Sequence, residues 1–158
     1  MGDKVLEERA TAVIEANKYM TLGTVGEGGR PWVTPVYFTP DGHEDFYWAS
    51  SPKATHSLNI ARNPDVSIVI FDSSVAIGQA SALYLNARAE LVPDDELEHR
   101  AAHYASRYPE LRAFPADELR EPADLRLYRA RATEHWILIR GRDPEYGTGI
   151  DSRLPVWD

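Results

Sequence analysis

Hydrophobic positions along this chain recur with two periods, and the switches between them mark its elements. Across residues 4–17, Leu6, Ala10, Val13 and Ile14 fall on one face at helical spacing, which predicts an amphipathic helix. From Tyr19 the period drops to two. Runs rich in β-branched and aromatic residues predict strands at 19–25, 32–38, 45–49, 66–72 and 81–91, with glycine-bearing turns between the first of them. The last run alternates cleanly. Leu83, Leu85, Ala87, Ala89 and Leu91 share one face and Tyr84, Asn86, Arg88 and Glu90 the other, the pattern of a wall half exposed to solvent.

Residues 94–108 then read as a polar helix capped by Asp94 or Asp95, with acidic residues in its first turn. The proline-rich stretch 109–122 predicts irregular chain with one short helix, residues 125–128 fit helix or strand equally, and HWILIR at 135–140 reads as a final strand. The tail after Gly141 is rich in glycine, proline and aspartate but ends in Val156 and Trp157. A tryptophan in such a tail predicts docking, and a second subunit is a natural surface for it.

Candidate chemistry concentrates between the strands at 45–49 and 66–72. The intervening SSPKATHSLNIARNP predicts a short helix with Ser51 as cap, Pro52 at the first helical position and a stop at Asn63 and Pro64. The free N–H groups and positive dipole end of that helix, ringed by Ser50, Ser51 and Lys53, would make an anion socket, although Pro52 removes one donor. An ordinary capped helix with its lysine in water is the competing reading.

The order helix, hairpin, strand, short helix, strand resembles the pyridoxamine 5'-phosphate oxidase-like family of flavin-binding split β-barrels. The resemblance rests on TLGTV, GRPWVTPVYF, FYWASSPKATHSLNIARNPDVSIVIFD and SALYLNARAEL, covering roughly residues 16–92. It implies a mainly β, α+β fold, a six-stranded split β-barrel with flanking helices, and a homodimer carrying flavin mononucleotide (FMN) at the subunit interface. Ser51 and Lys53 match the serine and lysine of the family's phosphate-holding Ser-Arg-Lys turn, while Pro52 stands where the arginine would be. A further arginine and lysine of the family fall near Pro31 and Val36 and are absent. The phosphate contact is then expected from Lys53, the hydroxyls of Ser50 and Ser51, and His56 or Arg30. Trp32, Val33, Thr34 and Pro35 match the strand lining the isoalloxazine edge, and Trp48 and Ala49 match residues beside the ring. For Trp32 and Trp48, barrel packing and ring contact both remain open, as do phosphate and solvent for His56. The tail carries no Arg-x-His signature of the vitamin-forming oxidases, so the resemblance does not extend to their substrate.

Length and charge narrow the classes. The 158 residues make one domain, 1–158, with residues 1–18 as its N-terminal helix and 141–158 as its tail. A net charge of −8 with no basic stripe argues against nucleic-acid and anionic-membrane partners. The absence of cysteine excludes disulfides, thiolate nucleophiles and Cys-type metal sites and, with no apolar leader or span-length apolar run, predicts a cytoplasmic protein. His99 and His103 lie four apart but have no second motif, and a solvated helix face is expected there rather than a metal site. The expected function is a homodimeric FMN-dependent oxidoreductase acting on a small molecule. A reductase using the deazaflavin F-420 and a non-catalytic flavin- or haem-binding protein are the alternatives.

Overall fold

One extended stretch, bent at Phe38, supplies both edges of the sheet. In the computed structural model, which describes residues 2–157, strand β2 (Pro31–Tyr37) pairs with β1 (Tyr19–Val25), and β3 (Thr39–Asp41) pairs with β4 (Asp45–Ser50). The order continues through β5 (Asp65–Phe71), β6 (Ala82–Leu91) and β7 (Arg126–Ile139), giving β2-β1-β5-β6-β7-β4-β3, with β8 (Ser152–Pro155) added alongside β7. Because the terminal strands β2 and β3 are consecutive in the chain, the sheet curls into a split barrel. Counting them as one bent strand gives the expected six. The pairings are antiparallel.

Alternation fills the barrel. Met20, Leu22, Phe46, Trp48, Ile68, Ile70, Leu83, Leu85 and Ile137 point inward and are nearly or fully buried. Helix α1 (Lys4–Ala16) lies against β5, β6 and β7 and adds Leu6, Ala10, Val13 and Ile14 to that core. Asp3 caps it, accepting from the Val5 and Leu6 amides at 2.9 and 3.3 Å, a contribution of about 1 kcal/mol. A second core lies outside the barrel, where Tyr47, on the opposite face of β4 from Trp48, packs with Leu127 under α3 (Leu97–Ala105). Arg129 is buried on that side and pairs with Glu90 and with Glu96, the latter at 3.1 Å.

Four expectations change. Helix α2 (Thr55–Arg62) begins at Thr55, not at Pro52. Helix α3 begins at Leu97, because residues 94–96 form a turn and Glu96, not Asp94 or Asp95, holds the cap position. Residues 126–139 form one long strand, and the final strand is β8 in the polar tail. Leu91 is 52% exposed where β6 leaves the sheet, although Leu83, Leu85, Ala87 and Ala89 are buried as expected.

The tail docks on its own chain. Val156 is buried and its amide bonds to the His135 carbonyl at 3.1 Å. Trp157 stacks on His43 with centroids 4.2 Å apart and planes 6° from parallel.

Candidate functional site

The start of α2 is an uncapped helix end. Ser51 closes a turn, its Oγ accepting from the Lys53 amide at 3.1 Å and its carbonyl from the Ala54 amide at 3.1 Å. Its hydroxyl is thus held by the turn and does not cap the helix. Ala54 occupies the cap position and has no side-chain acceptor to offer. The Leu58 amide, bonded to the Ala54 carbonyl at 3.0 Å, opens the helical ladder, which leaves the amides of Thr55, His56 and Ser57 without helical acceptors. Pro52 lies before the helix and costs it no donor, contrary to the expectation from sequence. Ser57 is 3% exposed and its Oγ has no partner.

Two cations line a recess beside the turn that precedes this end. Lys53 is exposed and forms no ion pair among the described residues. With Ser51 it lines a recess of about 330 Å³ whose opposite wall runs from Glu121 to Arg126. The Arg126 guanidinium is fixed there by the carbonyls of Ala123 and Leu125 at 2.6 and 2.7 Å. Arg126 was invisible as a site residue in the sequence, because only the pairing of Ser50 with Arg126 across β4 and β7 brings it to Lys53. Glu121 and Asp124 share the recess and partly offset the positive charge.

His56 does not act as a third cation. Its Nε2 lies 2.9 Å from the Ser50 Oγ, and burial pushes its pKa below the ordinary histidine value, which favours the neutral ring. Ser50 therefore orients His56.

The expected ring-lining residues divide. Trp32 and Val33 are 47% and 65% exposed, Pro35 is exposed and Thr34 half-buried. Strand β2 is paired along one side only, with β1, and it touches both β4 and α2. It therefore brings an apolar surface and a free backbone edge to the elements that carry the socket. Trp32 and Val33 line a groove of about 650 Å³ with Gly23, Ser67 and Asn86, separate from the recess at Lys53. Trp48 is instead fully buried, stacked on Tyr128 with centroids 5.7 Å apart. Its ring packs the barrel, so the packing reading holds for Trp48, while Ala49 is half-buried against the second core outside the barrel. His103, the other half of the histidine pair on α3, lies with Nε2 3.0 Å from the Pro40 carbonyl.

These residues fit a planar group bearing a phosphate. Amides without helical acceptors, Lys53 and Arg126 suit a dianion, and the β2 edge suits a flat heterocycle.

The fold defines a split-barrel protein with an uncapped start to its short helix α2. The sequence model of pyridoxamine 5'-phosphate oxidase matches residues 6–138, and the chain belongs to that family. No curated protein matches it. Among solved structures it is similar to HutZ, the haem storage protein from Vibrio cholerae, with 26% identity and a TM-score of 0.68 over 91% of this chain and 98% of that one. It is also similar to an FAD-binding protein from Mesorhizobium loti, with 20% identity and a TM-score of 0.63 over 82% and 90%. A haem-binding protein from Mycobacterium smegmatis is similar at 21% identity and a TM-score of 0.69, over 98% of this chain and 59% of that longer one.

Proposed function

We propose that the protein is a homodimeric FMN-dependent oxidoreductase acting on a small organic molecule. The observation that carries this reading is the uncapped start of α2, where three amides lack helical acceptors, two residues after Lys53, which shares a recess with Arg126. A flavin phosphate would satisfy these donors. Trp32 and Val33, costly to leave in water at their exposure, would be covered by the isoalloxazine and by the second subunit. When bound, the flavin supplies the redox chemistry; the chain holds the phosphate, presents the β2 edge to the ring and limits water access. His56 is engaged by Ser50.

A second reading follows from the similarity to HutZ along nearly its whole length. In it the protein holds haem and performs no turnover. An absorption spectrum of the purified protein, followed by titration with FMN, the deazaflavin F-420 and haem, separates the readings. Saturable FMN binding, with reduction of bound FMN by a nicotinamide nucleotide, supports the oxidoreductase; binding of F-420 alone replaces FMN by the deazaflavin. Binding of haem alone supports the second reading, and binding of none overturns both.

A further inference from the structure

The seam where β4 gives way to β8 along the edge of β7 is closed by two histidines and a tryptophan. Pairing of β4 with β7 ends at Asp45 and Arg131, and pairing of β8 begins at Trp136 and Pro155. Between them the Ala132 amide donates to the Glu44 carbonyl at 2.8 Å and the Val156 amide to the His135 carbonyl at 3.1 Å. His135 is 9% exposed. Its Nε2 lies 2.6 Å from the His43 carbonyl, which can only accept, so Nε2 carries the proton of the neutral ring and Nδ1 is free of one. Trp157 covers the pair, stacked on His43 and edge-on to His135, with the latter centroids 5.1 Å apart and planes at 84°. The two imidazoles are themselves 5.5 Å apart. Trp157 has a φ of 55°, a left-handed conformation that a tryptophan keeps only where contacts hold it.

The two ends of this segment are held by different chemistry. Upstream, Asp151 pairs with Arg140 at 2.8 Å, Asp143 pairs with Arg9 at 2.7 Å, and the Tyr146 hydroxyl donates to Asp3 at 2.8 Å. Hydrogen bonds from the Gly141 amide to Asp151, from the Tyr146 amide to Asp143 and from the Tyr146 hydroxyl to Asp3 lead in holding these carboxyls below the usual carboxylate range. That end stays anchored in mild acid. At the far end neither histidine forms an ion pair among the described residues. The turn between β3 and β4 brings Glu44 there, and β7 carries Glu134, which accepts from the Asn86 side chain of β6 at 2.9 Å. Helix α1 lines a groove against Trp157 with Lys4, Glu7, Glu8 and Glu15. Burial acts most strongly on His135 and, with the charge of a protonated His43, outweighs the pull of the His43 carbonyl and Glu44, so its pKa lies below the ordinary histidine value.

We propose that residues 152–157 form a pH-gated strap, hinged at Asp151 and latched at its far end by Trp157 over the neutral His43 and His135 rings. The docked strap binds fewer protons than the released one. Docking is therefore complete above the ordinary histidine value of about 6.5 and is lost as pH falls below it, by up to about tenfold per pH unit for each proton taken up. Release leaves the edge of β7 from Trp136 to Ile139 unpaired.

The test is amide hydrogen exchange on the full chain, read residue by residue by NMR as protection factors at about pH 7.5 and about pH 5, which removes the intrinsic pH dependence of exchange. The Val156 amide and the amides of β8 are expected to lose about tenfold or more in protection in acid, by the same proton linkage. The Gly147 amide, bonded to the Asp143 carbonyl at 3.0 Å, and the amides of β5 should keep theirs. His135→Gln, which retains a donor toward the His43 carbonyl, and His43→Phe, which retains the stack on Trp157, should each remove most of the acid loss. His43 is half-buried in a turn, so its variant remains informative even where His135→Gln fails to fold. Unchanged protection of Val156 in acid, or an undiminished loss in His43→Phe, would overturn the proposal. So would a parallel loss along β5, since acid would then be unfolding the barrel instead of freeing the strap.

Discussion

Arg107 donates to the Phe38 carbonyl at 2.6 Å while its guanidinium lies 4.5 Å from the centroid of the same residue's ring. Its other nitrogen reaches the carbonyls of Ile14 and Asn17 at 2.9 and 2.7 Å. One side chain just beyond α3 thus ties the bend between β2 and β3 to the end of α1. Arg107→Ala is expected to destabilise the protein by roughly 2 to 4 kcal/mol, because three carbonyls lose a charged donor. Arg107→Lys should recover part of this, and denaturant melts would measure both. A loss within experimental error for Arg107→Ala would show that water replaces the clamp.

Lys53→Ala should raise the Kd for FMN about tenfold, the scale of one charge-assisted phosphate contact, with little change in the melting temperature of the flavin-free protein. Arg126→Gln should act in the same direction. Flavin fluorescence titration reads both, and unchanged affinity in Lys53→Ala would remove the phosphate from this socket.

The two tryptophans for which the sequence left ring contact and barrel packing open should now behave differently. Trp48→Ala empties a fully buried site against Tyr128 and is expected to cost roughly 3 to 5 kcal/mol in stability. Trp32→Ala, half-exposed on β2, should change stability by about 0.5 kcal/mol or less and should weaken flavin binding or self-association instead. Equal destabilisation by both would contradict the placement of Trp32.

Acid should weaken the fold in a window set by two histidines. Burial holds the pKa of both His56 and His135 below the ordinary value. The folded state therefore binds fewer protons than the unfolded one, so stability is complete above the unfolded-state value of about 6.5 and declines as pH falls below it. Urea melts between pH 8 and pH 5 should show this decline, and His56→Asn should flatten it. The pKa of Asp151 is lowered, first by the Gly141 amide and then by Arg140, so its contribution is lost only at more acid pH, through the carboxylate range.

Much of the barrel was legible because its walls obey a period of two. Tyr19–Val25 and the inward set on β6 were read to within a residue or so, as was the buried face of α1. Only the second half of β7 was read as strand, with residues 125–128 left open between helix and strand, because Arg129, Arg131 and Glu134 interrupt its apolar pattern. Those charges are tolerated by long-range partners, Glu90 and Glu96 for Arg129 and Asp45 for Arg131, that no local window contains. The start of α2 was misplaced because a serine followed by proline is also the signature of a cap, and here the serine hydroxyl closes the preceding turn. The socket's lysine was found from sequence, whereas Arg126 depends on a strand pairing across 76 positions, from Ser50 to Arg126.

The bent strand that supplies both sheet edges also dictates when the molecule can be completed. Hairpins β1–β2 and β3–β4 join near neighbours, but β4 finds its other partner only in β7, where Asp45 meets Arg131. A chain emerging from the ribosome therefore carries β4 and β6 as open edges until the last strands are synthesised. Such non-local closure favours slow folding and leaves the nascent chain exposed to strand-to-strand aggregation, a vulnerability of biogenesis that the finished barrel conceals.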